Sequence, residues 1–94
     1  MSIFIKEMVK NKLKHLTRDE LLHYSKQYGF QLTEAQAQQI ALYLRKNTLD
    51  PFNPKTRQEM FQHLAAITDE QTASKAEQLL HTLIQSYGLE HLFQ

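Results

Sequence analysis

Two threonine-led helix starts stand close together in the first half of the chain. Thr17 is followed three residues later by Glu20, and Thr33 is followed in the same way by Gln36. At this spacing the threonine hydroxyl accepts the amide of the third helical residue, whose side chain returns to the threonine amide. Gly29, between the two starts, can adopt the left-handed conformation in which many helices end. The segment therefore predicts two short helices joined by a tight turn.

The rest of the chain has a helical pattern as well. Only two glycines and two prolines occur, and no segment alternates apolar and polar residues for long enough to indicate a strand. Pro51 and Pro54 interrupt the helical pattern in the segment NTLDPFNP, because each lacks an amide donor. Asn53 before Pro54 predicts a further N-cap. The helices are predicted to begin at about Ile3, Thr17, Thr33, Asn53 and Thr68, the last with Gln71 as its capping partner, and the first, second and fifth to end at His15, Gly29 and Gly88.

Each long predicted helix carries one apolar stripe at spacings of three and four residues. The predicted stripes are Ile5, Met8, Val9, Leu13 and Leu16; Ala37, Ile40, Ala41 and Leu44; Met60, Phe61, Leu64 and Ile67; and Ala73, Ala76, Leu80, Leu83, Ile84 and Tyr87. With 94 residues, 41% of them apolar, these stripes can share one modest core. We therefore predict an all-α fold, a compact single-domain bundle of about five helices with short links over residues 1–94.

Composition narrows the classes of protein. There is no cysteine, which excludes disulfides, thiolate metal sites and a cysteine nucleophile. The apolar runs are only a few residues long, too short for a signal peptide or a membrane span, so we expect a cytoplasmic protein. The net charge is +1, but residues 1–18 carry five cations against Glu7, a net charge of +4. The chain is basic at one end and mildly acidic elsewhere.

No motif of catalysis or cofactor binding stands out. Five histidines occur, yet no two have the spacing that places both on one helical face, so only a metal site assembled in three dimensions stays open. The acid pairs Asp19 with Glu20 and Asp69 with Glu70 fall in first helical turns, where the helix dipole favours negative charge. Glycine-rich phosphate loops and nucleophile elbows are absent from the sequence. We therefore expect no catalytic residue, no metal ligand and no cofactor, and a role other than catalysis.

Nucleic-acid binding is one functional hypothesis. Residues 17–46 have the outline of a helix-turn-helix, whose second helix would read base edges. Gln36, Gln39 and Tyr43 would face the bases, and Arg45 with Lys46 would meet phosphates. Against this hypothesis, the reading helix begins with an acid and lies in the acidic part of the chain.

The first helix allows a second hypothesis. A basic amphipathic helix can lie on an anionic membrane or enter a partner's groove, although it can equally cover its own core and leave lysines in water. The last interpretation is favoured, because such lysine faces are ordinary.

Protein interaction is the third and preferred hypothesis. Leu42 lies opposite the apolar stripe of the third helix, and Phe4, Phe52 and Phe93 have no obvious place in a stripe. Large apolar side chains that cluster on a surface mark a contact site, often one that pairs two copies of the chain. We therefore predict a non-enzymatic interaction module that binds a protein partner or forms a homodimer.

The segment LTRDELLHYSKQYGFQLTEAQAQQI resembles a family of short, uncharacterised proteins from spore-forming Gram-positive bacteria, known as a domain of unknown function. The likeness covers most of residues 3–87 and depends on the Thr17 cap, the YSKQYGF helix end and the Thr33 cap. This resemblance implies a small, cytoplasmic, all-helical protein. It supplies no activity, ligand or catalytic residue.

Overall fold

Five α-helices make up the part of the chain that the structure, a computed structural model, describes: residues 2–47, 49–86 and 88. The helices are α1 (Ser2–Lys14), α2 (Arg18–Tyr28), α3 (Glu34–Lys46), α4 (Pro54–Ile67) and α5 (Glu70–Ser86), and these residues contain no strand. The Cα radius of gyration is 12.7 Å, close to the roughly 12 Å expected of a compact chain of this length. The prediction of a compact all-α bundle of about five helices is confirmed.

Both threonine caps form as the sequence predicts. The Glu20 amide donates to the Thr17 hydroxyl at 3.1 Å, and the Thr17 amide donates to the Glu20 carboxylate at 3.2 Å. Thr33 and Gln36 exchange the same two hydrogen bonds, each at 3.0 Å. Each box satisfies two amides that would otherwise lack a partner at a helix start. The boxes therefore fix the beginnings of α2 and α3.

Glycines end two of the helices in the left-handed conformation. Gly29 has φ 81° and its amide donates to the Ser25 carbonyl, to which the Phe30 amide also donates at 2.7 Å. Gly88 has φ 67°, and its amide donates to the Gln85 carbonyl. Both predicted helix ends are confirmed. The stripe position Tyr87 lies outside the described residues, as does the predicted surface residue Phe93.

The starts of α4 and α5 differ in how well they were predicted. The Asn53 side chain accepts the Lys55 and Thr56 amides at 2.9 and 3.2 Å, which confirms the predicted cap. The prediction of Thr68 as the cap of α5 is wrong. Its hydroxyl donates back to the Leu64 carbonyl at 2.7 Å, so Thr68 closes α4. Asp69 takes over the capping role, and its carboxylate accepts the Thr72 amide at 2.6 Å.

Helix α3 is the centre of the bundle. It packs against α1, α2 and α4, while α5 packs against α4. Its predicted stripe is confirmed, because Ala37, Ile40, Ala41 and Leu44 are all buried. Ile40 and Leu44 form the first core cluster with Met60 of α4, and half-buried side chains such as Leu13 surround it. This cluster joins the first four helices.

A second core cluster is built around the loop before α4. Phe52 is 0% exposed and packs with Ile84 of α5, against which Ile5, Val9 and Leu80 also pack. The prediction that Phe52 lies on the surface is therefore wrong. The loop is held by polar contacts: the Asp50 carboxylate accepts the Phe52 amide at 2.9 Å, and Arg57 donates to the Pro51 carbonyl at 3.0 Å. These bonds let an irregular segment enter the core without losing its hydrogen bonds.

Helix α1 presents most of its predicted stripe to the core, with one exception. Ile5 and Val9 pack on the second cluster and Leu13 on the first, as expected. Met8, however, is 70% exposed, so its place in the predicted stripe is wrong. Lys6 is half-buried, with its amine 5.9 Å from the centroid of the Phe52 ring. This side of α1 therefore faces the second core cluster, and Met8 faces solvent.

Among the described residues, no helix is long and apolar enough to cross a bilayer.

Candidate interaction surface

Two large apolar side chains stand exposed on one side of α1. Phe4 is 74% and Met8 is 70% exposed, and neither belongs to a core cluster. Because the two residues are four apart in a helix, their side chains are neighbours. Ile5 and Val9 face the core, which leaves Phe4 and Met8 facing solvent. We call this pair, Phe4 and Met8, the outer face of α1.

Two lysines of α1, Lys10 and Lys12, form ion pairs within the chain. The Lys10 amine lies 3.3 Å from the Glu7 carboxylate, and the Lys12 amine lies 2.8 Å from the carboxylate of Glu20 at the start of α2. The hydrogen bond with Glu20 raises the pKa of Lys12. The same bond lowers the pKa of Glu20, and the hydrogen bond from the Thr17 amide lowers it further. Both groups are solvent-exposed, so this ion pair orients α1 more than it stabilises the fold. These two cations are therefore compensated by carboxylates of the same chain.

Other exposed apolar groups lie on α2 and α3. Leu42 is exposed on the side of α3 away from the core, as predicted. Tyr24 and Tyr28 of α2 are exposed as well. Of the four residues predicted as an interaction surface, Phe4 and Leu42 are exposed, Phe52 is buried, and Phe93 lies outside the described residues. The sequence analysis missed Met8. Pairing Ile5 with Val9 as the inward positions would have placed Phe4 and Met8 together on the opposite side.

The five candidate nucleic-acid residues do not form one exposed ridge. Gln39, Arg45 and Lys46 are exposed on α3. The Gln36 amide oxygen is instead occupied by the Thr33 amide in the capping box. Tyr43 is half-buried, and its ring stacks on His63 of α4 with centroids 4.4 Å apart and planes 18° from parallel. Its expected outward orientation is therefore wrong, because α4 packs against that side of α3.

An open groove lies between α3 and α4, with a volume of about 410 Å³. We call it the α3–α4 groove. Its lining side chains include the stacked Tyr43 and His63, together with Asn47, Thr56, Glu59 and Gln62. Burial raises the pKa of the Tyr43 hydroxyl, and the neighbouring Glu59 carboxylate raises it further. The groove thus combines an aromatic wall with a single formal negative charge.

Metal ligands are not assembled in the described part of the chain. No group of three or more histidine, aspartate or glutamate side chains there could hold an ion. The outer face of α1 and the α3–α4 groove are the two candidate binding surfaces described above.

The fold and these surfaces define a small all-helical bundle with a spare apolar helix face. A family model described as "Protein of unknown function (DUF2624)" matches residues 1–84, and the chain belongs to this family. It is 34% identical over 77 residues to the uncharacterized protein YqfT of Bacillus subtilis (strain 168), an alignment that covers 82% of this chain and 92% of that protein. No solved structure matches. The resemblance to a family of unknown function is confirmed, whereas its wider restriction to spore-forming bacteria stays a prediction.

Proposed function

We propose that this protein is a non-enzymatic interaction module that binds a partner protein through the outer face of α1. The observation that carries the proposal is the exposure of Phe4 and Met8 one turn apart on a helix whose other side is anchored in the core. Amphipathic helices are commonly recognised in this way, by an apolar groove that takes side chains at positions i and i+4.

The energetics set what the partner must supply. Burying one large apolar side chain contributes roughly 1.5–3 kcal/mol, so Phe4 and Met8 together contribute roughly 3–6 kcal/mol by the same scale. Micromolar binding needs about 8 kcal/mol after the costs of association. The partner therefore has to enclose both side chains in a concave groove and add polar contacts at its rim. A flat surface would not suffice.

Self-association through this face is the weaker form of the proposal. Phe4 and Met8 offer roughly 300 Å² of side-chain area, whereas a stable interface buries roughly 800 Å² on each partner. Two convex helices meeting at these residues would bury less than that. A homodimer would need further contacts, for which Leu42 and the tyrosines of α2 are the exposed apolar groups.

Nucleic-acid binding is a second candidate, supported by the exposure of Gln39, Arg45 and Lys46 on α3. It ranks lower because Gln36 and Tyr43 are engaged inside the protein. A gel shift at low salt with mixed-sequence DNA tests it, since phosphate binding appears before sequence-specific binding. The absence of any retardation rules this candidate out.

The main proposal is tested by photo-crosslinking. A benzoylphenylalanine is placed at position 4 or 8 of the full chain, or at the exposed position of Glu77 on α5 as a control, and irradiated in a Bacillus subtilis lysate. We expect a discrete protein adduct from positions 4 and 8 and none from position 77. The adduct should persist after nuclease treatment.

Competition completes the test. Excess unlabelled wild-type protein should remove the adduct, and the double variant Phe4→Ser with Met8→Ser should not, although it keeps its helical circular dichroism. Adducts of equal strength from all three positions would contradict the proposal, as would equal competition by the double variant. An adduct whose mass is twice that of the chain identifies the partner as a second copy.

A further inference from the structure

The α3–α4 groove has a chemical bias that is independent of the outer face of α1. Its polar lining offers oxygen acceptors from Glu59, Asn47 and Gln62, and the described residues that line it include neither lysine nor arginine. The Asn47 amide nitrogen already donates to the Tyr43 carbonyl at 2.7 Å, which leaves its side-chain oxygen as an acceptor. These acceptors, with the charge of Glu59, favour a ligand that donates hydrogen bonds.

The charge of Glu59 has no partner in the described part of the chain. None of the three ion pairs found there includes it, although Lys55 stands one turn earlier on α4 and His63 one turn later. The carboxylate therefore adds one uncompensated negative charge to the groove. An anionic ligand would be repelled, and a single carboxylate is too few ligands for a divalent cation.

The aromatic wall selects the shape of the donor. Tyr43 and His63 are stacked nearly parallel, with ring centroids 4.4 Å apart, and both rings line the groove together with Glu59. A guanidinium group is planar, donates hydrogen bonds in a fork that matches a carboxylate, and stacks on aromatic rings. An ammonium group has the charge but lacks the plane.

We propose that the α3–α4 groove binds a guanidinium group, with Glu59 as its charge partner and the Tyr43–His63 pair as its stacking surface. The group can be carried by a free alkylguanidine or by an arginine side chain of a peptide. Both sources present the same donor plane to the groove.

The test is a titration of the full-length, ¹⁵N-labelled protein followed by its amide and imidazole resonances. Butylguanidine is the ligand, and butylurea, which has the same shape but no charge, is the control. We expect shifts confined to groove residues with butylguanidine and none with butylurea. In Glu59→Gln the affinity should fall about two- to fivefold, because an exposed charge-assisted pair is lost. Glu77→Gln, a change of the same kind on exposed α5, should leave the affinity unchanged.

A second ligand identifies the source. A blocked Gly-Gly-Arg-Gly-Gly peptide that binds as tightly as butylguanidine supports the proposal with arginine of a peptide as the ligand, and binding of butylguanidine alone supports it with a free guanidine. The proposal is overturned if groove resonances do not move up to about 10 mM ligand, the weak end of binding for a single group. It is also overturned if butylurea produces the same shifts or if Glu59→Gln binds as well as the wild type.

Discussion

Helix α1 and the loop before α4 contrast in how they use an aromatic residue. The helix places Phe4 in solvent, 74% exposed, while the irregular loop places Phe52 in the core, 0% exposed. In this pair of aromatic residues, the one in a helix is at the surface and the one in a loop is inside. The loop can be buried because Asp50 and Arg57 satisfy its backbone groups, whereas α1 lies at the edge of the bundle and needs only one side for packing.

This contrast teaches where spare binding surface comes from. Helix α3 is packed against three other helices, so its apolar stripe is buried in the core. Helix α1 has more apolar residues than its single contact side can bury. The excess, Phe4 and Met8, stays available to a partner. In this protein the apolar side chains exposed on the edge helix α1 mark a candidate contact surface, whereas the apolar residue Phe52 of the loop is buried in the core.

The largest expected effect separates the two phenylalanines. Phe52→Ala should lower the free energy of unfolding by about 3–5 kcal/mol, because it opens a cavity in the core. Phe4→Ala should change it by less than about 0.5 kcal/mol, because the side chain already lies in water. Urea unfolding followed by circular dichroism measures both. Equal losses for the two variants would contradict the assignment of their environments.

A smaller effect tests how the loop is joined to α4. Asn53→Ala removes the acceptor of the Lys55 and Thr56 amides and should cost about 1 kcal/mol of stability. The matched control is Gln58→Ala, an exposed position within the same helix. We expect the control to lie within about 0.5 kcal/mol of the wild type. If both variants are equally stable, Asn53 does not cap α4.

The smallest effect concerns the polar contact at the end of α1. The pKa of Glu20 is lowered from its ordinary 4.5, first by Lys12, so its contribution to stability is present above that value and is lost as the pH falls through the folded pKa. The pKa of Lys12 is raised from 10.5, so the contribution of Lys12 is present below that value and is lost as the pH rises through its folded pKa.

Glu20→Gln is the variant that isolates this contact. Gln36 already performs the same capping role in α3, so glutamine at position 20 should keep the capping box and remove only the charge. Thermal unfolding of both proteins across pH should show a small advantage of the wild type at neutral pH. That advantage should vanish once Glu20 is protonated. A difference that stays constant into acid would show that the charge is not its cause.

Local chemistry made part of this fold predictable. The boxes at Thr17 and Thr33, the Asn53 cap and the turn at Gly29 each depend on a few neighbouring residues, so the sequence is enough to place them. The burial of α3 was also predictable, because a central helix buries its whole apolar stripe. The cap of α5 was misplaced by one residue, since Thr68 and Asp69 can both cap and only the geometry of the turn decides between them.

The candidate surfaces were less predictable because they depend on packing between distant residues. Nothing local distinguishes Phe4 from Phe52, and the exposure of Met8 depends on which residues of α1 pack against the second core cluster. The stacking of Tyr43 on His63 joins two helices and has no sequence signal of its own. The α3–α4 groove could not be seen before both helices were in place.

Fluorine NMR tests the central contrast most directly. The protein is labelled with 4-fluorophenylalanine, the resonances of positions 4 and 52 are assigned with Phe4→Leu and Phe52→Leu, and a water-soluble paramagnetic agent is added. We predict that the Phe4 resonance broadens strongly while the Phe52 resonance is unaffected, since the two side chains are 74% and 0% exposed. A protected Phe4 or a broadened Phe52 would contradict the claim that α1 leaves an apolar face free and the loop fills the core.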